Sequence, residues 1–296
     1  MTGSDDARPA ANEPRVPDTI DALVVPLDRS GFSLTALPAA TRLAARLGAE
    51  VHLLSAVESV DQVDARDREL ARIEVPGHVV HRTVVVDRDP AGAIHEAVRK
   101  LQNAVACMAT HGRARSAALL GSVATDVVAR GRDPLVLVCP YMGPPRHGSA
   151  VVACVDDSPA AVVLVAVAVR WADLLGERCV VLTVAEDAPE PVTGRPVRRR
   201  FGPAGDAEGY LGRLVEPLRA DGHQVEPVVR YDPVSVWGGL YRYLNDHPAA
   251  LVATNTRSWA GVRRLVLGSV AATIVRHSPS PVLVVPRPDG ATRHER

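Results

Sequence analysis

Apolar residues fall along this chain in short, mostly continuous runs, separated by longer stretches where they recur every three or four positions. Continuous rather than alternating runs predict strands buried on both faces, the habit of parallel sheets covered by helices. In the N-terminal half the runs are residues 22–27, 51–57, 80–86, 104–109 and 135–138. Helical periodicity fills 33–47, 61–73, 91–102 and 122–130. The C-terminal half repeats the order, with strands at 151–155, 180–184, 226–230, 250–253 and 282–285 and helices at 159–175, 206–220, 234–245 and 269–276. This alternation predicts an α/β protein of two tandem, doubly wound, five-stranded parallel-sheet domains of Rossmann-like form.

The repeat is visible in the residues themselves. Leu23-Val-Val-Pro-Leu-Asp28-Arg-Ser30 returns as Val151-Val-Ala-Cys-Val-Asp156-Asp-Ser158, 128 positions later. Leu120-Gly-Ser-Val-Ala124 returns as Leu267-Gly-Ser-Val-Ala271, now 147 positions later. The difference of 19 residues implies an insertion in the second half, and the segment 189–205, with Arg195, Arg198, Arg199 and Arg200, is its main carrier. The domains are read as 18–141 and 149–287, joined by a Pro- and Gly-rich linker at 142–148. Polar tails at 1–17 and 288–296 lack periodicity, and the first is expected to be disordered.

Composition narrows the function classes. The chain is 47% hydrophobic and 23% charged, with 34 basic and 34 acidic residues, so no net charge draws it to nucleic acid or an anionic membrane. Lys100 is the single lysine, which removes most lysine chemistry and any Walker-type phosphate loop. Ten aromatic residues (three Trp, five Tyr, two Phe) are too few for a base-stacking surface, and Trp171, Trp237 and Trp259 are read as packing residues. Cys107, Cys139, Cys154 and Cys179 each sit in an apolar run, as buried thiols in a reducing compartment would. No His-x3-His or Cys-x2-Cys spacing occurs, so no metal site is expected. With no apolar leader and no stretch long enough to cross a membrane, a cytoplasmic protein is expected.

Three features of each half would meet at the carboxyl ends of the strands, where open parallel sheets bind ligands. Asp28 and Asp156 close the first strand, able to accept from a sugar hydroxyl or base amine, or simply to cap a turn. After the fourth strand come Ala109-Thr-His111-Gly112-Arg113 and, as its counterpart, Ala253-Thr-Asn255-Thr-Arg257. Gly121-Ser122 and Gly268-Ser269 open an apolar helix, where backbone N–H groups and the helix dipole suit phosphate, although Gly-Ser is also ordinary capping chemistry.

Taken together, these segments resemble the universal stress protein family in its tandem two-domain form, over nearly the whole chain except the tails and 189–205. The resemblance implies an adenine nucleotide α-hydrolase-like fold and, in ATP-binding members, a glycine pattern of Gly, two residues, Gly, nine residues, then Gly with Ser or Thr. Carried onto this sequence, the first site is Asp28, Ala56, His111, Gly112, Gly121, Ser122 and Val123, and the second is Asp156, Val184, Gly268, Ser269 and Val270. Both depart from the pattern. Ala109 replaces the first glycine, and eight residues separate Gly112 from Gly121; in the second half Ala253 and Thr256 replace both early glycines, and eleven residues separate Thr256 from Gly268. Asn255 is taken to stand where His111 does, which argues against a histidine base and for a contact role. The first copy keeps the better site.

The resemblance implies a nucleotide-binding stress-response protein, with ATP and Mg2+ as ligand, acting as a regulatory switch or partner-binding module rather than as an enzyme. A scaffold with degenerate, non-binding sites is the alternative, and slow ATP hydrolysis through Asp28 or Asp156 is the third reading. Implied partners are an adenine nucleotide, the other domain of the same chain through the last strands, a second chain in a homodimer and an unidentified protein, with neither nucleic acid nor membrane.

Overall fold

The computed structural model of the protein describes residues 17–110, 120–139, 148–185, 207–232, 234–258 and 265–287. The segment 189–205, residues 142–147 of the linker, Trp259, His111, Gly112 and nearly all of both tails lie outside the described residues. The first copy contains β1 (Ala22–Pro26), α1 (Leu37–Leu47), β2 (Glu50–Val57), α2 (Val63–Ala71), β3 (Val80–Val86), α3 (Pro90–Lys100), β4 (Ala104–Ala109), α4 (Ser122–Arg130) and β5 (Leu135–Val138). The second contains β6 (Ala150–Cys154), α5 (Ala160–Leu175), β7 (Arg178–Ala185), α6 (Ala207–Ala220), β8 (Val225–Tyr231), α7 (Val236–Asp246), β9 (Leu251–Ser258), β10 (Leu265–Leu267), α8 (Ser269–His277) and β11 (Val282–Val285).

Local chemistry sets several boundaries. The helix expected from residue 33 starts as a 3-10 turn over Ser33–Ala36 and becomes α-helical only at Leu37. Pro38 sits in that first α-turn, where its missing N–H would have no partner in any case. Gly48, at φ 68°, ends α1 in the left-handed region, and its N–H closes onto the Ala44 carbonyl.

The five main strands of each copy run parallel in the order 3-2-1-4-5, and the two sheets join edge to edge. β5 and β11 pair antiparallel, with Leu137 opposite Val282, Val136 opposite Leu283 and Leu135 opposite Val284. Alternate residues of these two strands enter opposite cores, as the two-residue period of a strand requires. Val136, Val138, Leu283 and Val285 pack with α1, α2, α5 and α6 on one face. Leu135, Leu137, Val282 and Val284 pack with α3, α4, α7 and α8 on the other. Both hydrophobic layers therefore run without interruption through the seam between the copies.

Strand pairing corrects two expectations. The segment 254–257, read as following the fourth strand, belongs to β9, which continues to Ser258 and pairs antiparallel with β10. Thr254 and Thr256 are β-branched and buried, and a second strand to pair with outweighs their polarity. The register between the copies also differs from the one read from the motifs. Leu23 lies opposite Val105, and Val151 opposite Leu251; Ala109 faces Val138, and Asn255 faces Val285. Asn255 is thus the counterpart of Ala109, not of His111, and Thr256 is the counterpart of Thr110. Counting onward, Ser258 takes the place of Gly112, and nine residues rather than eleven separate that position from Gly268. Most of the insertion enters between β7 and β8, since Val80 and Val225 hold equivalent places 145 positions apart.

Candidate functional site

In each copy the strand order reverses between the first and fourth strands, opening a crevice at their carboxyl ends. In copy one this crevice is a cavity of about 410 Å³ that brings together Asp28, Ala56, Gly121, Ser122 and Val123. Its walls are apolar (Pro26, Leu27, Leu54, Ile94, Met108, Ala109), and Ser33 and Thr110 add hydroxyls. A second, more polar recess of about 230 Å³ also borders Asp28 and Ala56, lined by Arg29, Ser55, Glu58, Gln62 and Arg66.

The rim of the main cavity is held by backbone. Gly121 donates its N–H to the Thr110 carbonyl at 2.8 Å, tying the start of α4 to the end of β4. Gly121 is the N-cap of α4 and no side chain caps that helix, so its first-turn N–H groups point outward without side-chain acceptors among the described residues. A helix end of this kind favours an anion.

Asp28 is fixed from two sides. Its Oδ1 accepts the N–H of Ser30 at 2.8 Å and the Ser30 hydroxyl at 2.5 Å, so the turn-capping role anticipated for this aspartate is present in the fold. Behind it lies Arg66, only 4% exposed and part of none of the sequence motifs. Its Nη2 donates to the carbonyls of Leu27 (3.0 Å) and Asp28 (2.8 Å), Nε donates to Ser55 Oγ at 2.7 Å, and Nη1 donates to Glu69 at 2.8 Å. The buried guanidinium thus satisfies the loose carbonyls at the end of β1 and positions the residue that lines the cavity. The available signal was that Arg66 shares the inward stripe of α2 with Leu70, an odd place for a charge.

The equivalent crevice in copy two is nearly closed, at about 60 Å³. Asp156, Val184, Gly268 and Val270 line it, whereas Ser269 does not and stands exposed at the start of α8. Three differences fill the space. Val184 replaces Ala56, and it packs on Gly239, the counterpart of Ala93; a Cβ on Gly239 would come within 2.8 Å of Val184 Cγ1. Asn255 replaces Ala109 and reaches across to donate Nδ2 to the Ala160 carbonyl at 2.9 Å. Arg287 also lines it, its N–H bonded to Thr256 Oγ1 at 3.0 Å and its buried Nε and Nη2 without hydrogen-bond partners among the described residues. The clamp behind Asp156 is chemically different as well. Tyr210 donates its hydroxyl to the Asp156 carbonyl at 2.7 Å, and burial together with Asp156 and Asp157 pushes that phenol up to about 12.

All four cysteines are free; Cys107, Cys139 and Cys179 are buried and Cys154 half-buried, with no two of them bridged. Among the described residues, no helix is long and apolar enough to cross a membrane.

Comparison with known proteins agrees with this architecture. The model of the universal stress protein family matches the chain twice, over residues 19–138 and 149–286. Two proteins of Mycobacterium tuberculosis, universal stress protein Rv2624c (strain ATCC 25618 / H37Rv) and universal stress protein MT2699 (strain CDC 1551 / Oshkosh), are each 26% identical over 285 residues, covering 91% of this chain and 97% of theirs. A solved universal stress protein from Archaeoglobus fulgidus DSM 4304 aligns at 20% identity with a TM-score of 0.61, covering 90% of this chain and 98% of that one. Protein PA1789 from Pseudomonas aeruginosa PAO1 aligns at 14% identity with a TM-score of 0.60, covering 91% and 94%. At such identities the solved structures speak for the fold alone. The two family matches span both halves of the sheet, and the chain belongs to the universal stress protein family as two tandem copies.

Proposed function

We propose that this is a stress-response protein whose first copy binds ATP with Mg2+ and whose second copy is a closed structural partner. The observation that carries the reading is the contrast in volume, about 410 Å³ against about 60 Å³. The larger lies within the range of small-molecule sites and the smaller far below it. Asp28 and the apolar wall at Ala56 suit an adenosine moiety, while Gly121, Ser122 and Val123 at the uncapped end of α4 suit phosphates. His111 and Gly112, adjoining Thr110 in sequence, complete the set of contacts in this reading. Mg2+, when bound, would supply positive charge against the phosphates.

Binding is proposed to regulate rather than to drive chemistry. A ligand shifts a protein between states only through its different affinity for them, and Thr110 and Gly121, which both line the cavity, are separated in sequence by ten residues that include His111 and Gly112. The alternative reading, a scaffold without nucleotide, draws on the closed second copy. Calorimetric titration with ATP and Mg2+, on the chain and on Gly121→Asp, separates them. One saturable site per chain, lost in the variant, is the expected result; at 100 times the dissociation constant, ATP should add about 2.7 kcal/mol of stability. No heat, with an unchanged melting temperature in excess ATP, would leave the scaffold reading standing.

A further inference from the structure

At the opposite end of the copy-one sheet, three metal-ligand side chains meet on one face of two neighbouring strands. His52 of β2 and His81 of β3 are direct partners in the parallel register, and Glu50 lies two residues before His52, hence on the same face. The two imidazole rings stack with centroids 4.4 Å apart. One carboxylate oxygen, Glu50 Oε2, lies within 2.9 Å of His81 Nε2, in hydrogen-bond contact, and within 3.5 Å of His52 Nε2. All three donor atoms lie within 4.8 Å of one another.

We infer that Glu50, His52 and His81 form a binding site for a divalent transition-metal ion, zinc by the chemistry of its donors. Two imidazole nitrogens and one carboxylate oxygen are a donor set that zinc accepts with a water in the fourth position. Metal–ligand bonds of about 2.1 Å in a tetrahedron place donors about 3.4 Å apart. Convergence of both in-plane nitrogens on one ion requires one ring to turn out of the stack, a rotation for which the half-exposed Glu50 and His81 have room, while the inner His52 is held at 16% exposure. The strand ends beneath are fixed: Glu50 donates its N–H to the Asp21 carbonyl at 2.9 Å, and Val51 donates to Val79 at 3.0 Å.

Copy two supplies an internal contrast. The residues at the same sheet positions are Arg178, Val180 and Glu226, and Arg178 forms an ion pair with Glu226. Where the fold needs only to join these two strands, an ordinary ion pair suffices; copy one places three ligand-type groups there instead. The site stands at the amino ends of the strands, remote from the nucleotide cavity, so its occupancy is independent of the function proposed above. Its direct effect is to cross-link β2 to β3, one of the two edge strands of the sheet.

The test uses the full chain stripped of metal with a chelator, titrated with Zn2+ against a competing chromophoric chelator. One strong site per chain is expected, together with a rise in melting temperature on adding zinc. Glu50→Gln and His81→Gln should each weaken binding by at least about tenfold and abolish the rise, with the metal-free melting temperature little changed. His277→Gln, at the far end of α8, serves as the control and should bind as the parent does. X-ray absorption of the zinc-loaded chain should fit two imidazole ligands. Equal affinity in the parent and in both variants, or no saturable binding by the parent, overturns the assignment.

Discussion

Ala56 and Ala93 in copy one become Val184 and Gly239 in copy two, an exchange in which one side chain grows as its neighbour shrinks. Cores tolerate substitutions that conserve volume and resist those that add it. Gly239 is buried in α7, where a Cβ would lie 2.8 Å and 3.1 Å from the two methyls of Val184 and 3.3 Å from Asp232 Cβ. Gly239→Ala is therefore expected to destabilise the protein by about 1–3 kcal/mol despite its better helix propensity. Adding Val184→Ala should restore most of that loss by recreating the Ala–Ala pair of copy one. Urea denaturation of the two single variants and the double variant measures the coupling; purely additive effects would contradict the packing account. Neither partner of this pair carries a signal in the sequence, because they come from a strand and a helix 55 positions apart.

Between elements, the cavity depends on how α3 and α4 sit against each other. His95 of α3 donates Nε2–H to the carbonyl of Val127 in α4 at 3.1 Å. Burial lowers its pKa below the ordinary 6.5, outweighing the opposing pull of the Val127 carbonyl, so the fold favours the neutral ring. The unfolded chain takes up a proton as pH falls through 6.5, ahead of the folded one. Stability from this contact is full above pH 6.5 and drains away as pH falls from there through the lowered folded value. The urea midpoint should therefore drop between about pH 7.5 and pH 5.5, and drop less in His95→Gln, which keeps a donor but has no charge to gain. Equal slopes would show that other groups dominate. At this scale the long helices and buried strands were legible from periodicity alone. The extension of β9 was not: Thr254-Asn255-Thr256-Arg257 is polar enough to read as a loop, and becomes strand because β11 pairs with Thr254 and Asn255 and β10 with Thr256 and Arg257.

Across the whole molecule, β5 and β11 turn two domains into one sheet. Leu135, Val136, Leu137, Val282, Leu283 and Val284 are all at most 3% exposed, so the seam is as dry as either core. Around it, Arg46 of α1 donates to the Leu175 carbonyl of α5 at 2.8 Å and pairs with Glu177. Edge strands of this apolarity would be aggregation-prone if uncovered, and each copy covers the other's. Segments 1–141 and 142–296, co-expressed as separate chains, should accordingly elute as a single complex. Leu283→Asp in the second segment should split it, since a carboxylate buried without a partner costs about 3 kcal/mol or more. Separate elution of the unmodified halves would show that the linker, not the seam, holds the copies together.

The sequence by itself determined the α/β class, the duplication and the family, because continuous apolar runs, helical periodicity and the twice-repeated Leu-Gly-Ser-Val-Ala are local or near-local signals. It also marked Asp28 and Gly121 as neighbours of one crevice, since the carboxyl ends of the strands converge there, and the family resemblance added Ala56. Tertiary structure alone decided which crevice stays open. Val184, Asn255 and Arg287 close the second copy from a strand, another strand and the chain beyond β11, and their combined volume is a property of packing that no single segment encodes. The same holds for Arg66 behind Asp28, and for the meeting of Glu50 and His52 with His81. These groups lie far apart along the chain, and only the pairing of strands and the docking of α2 bring their side chains within reach.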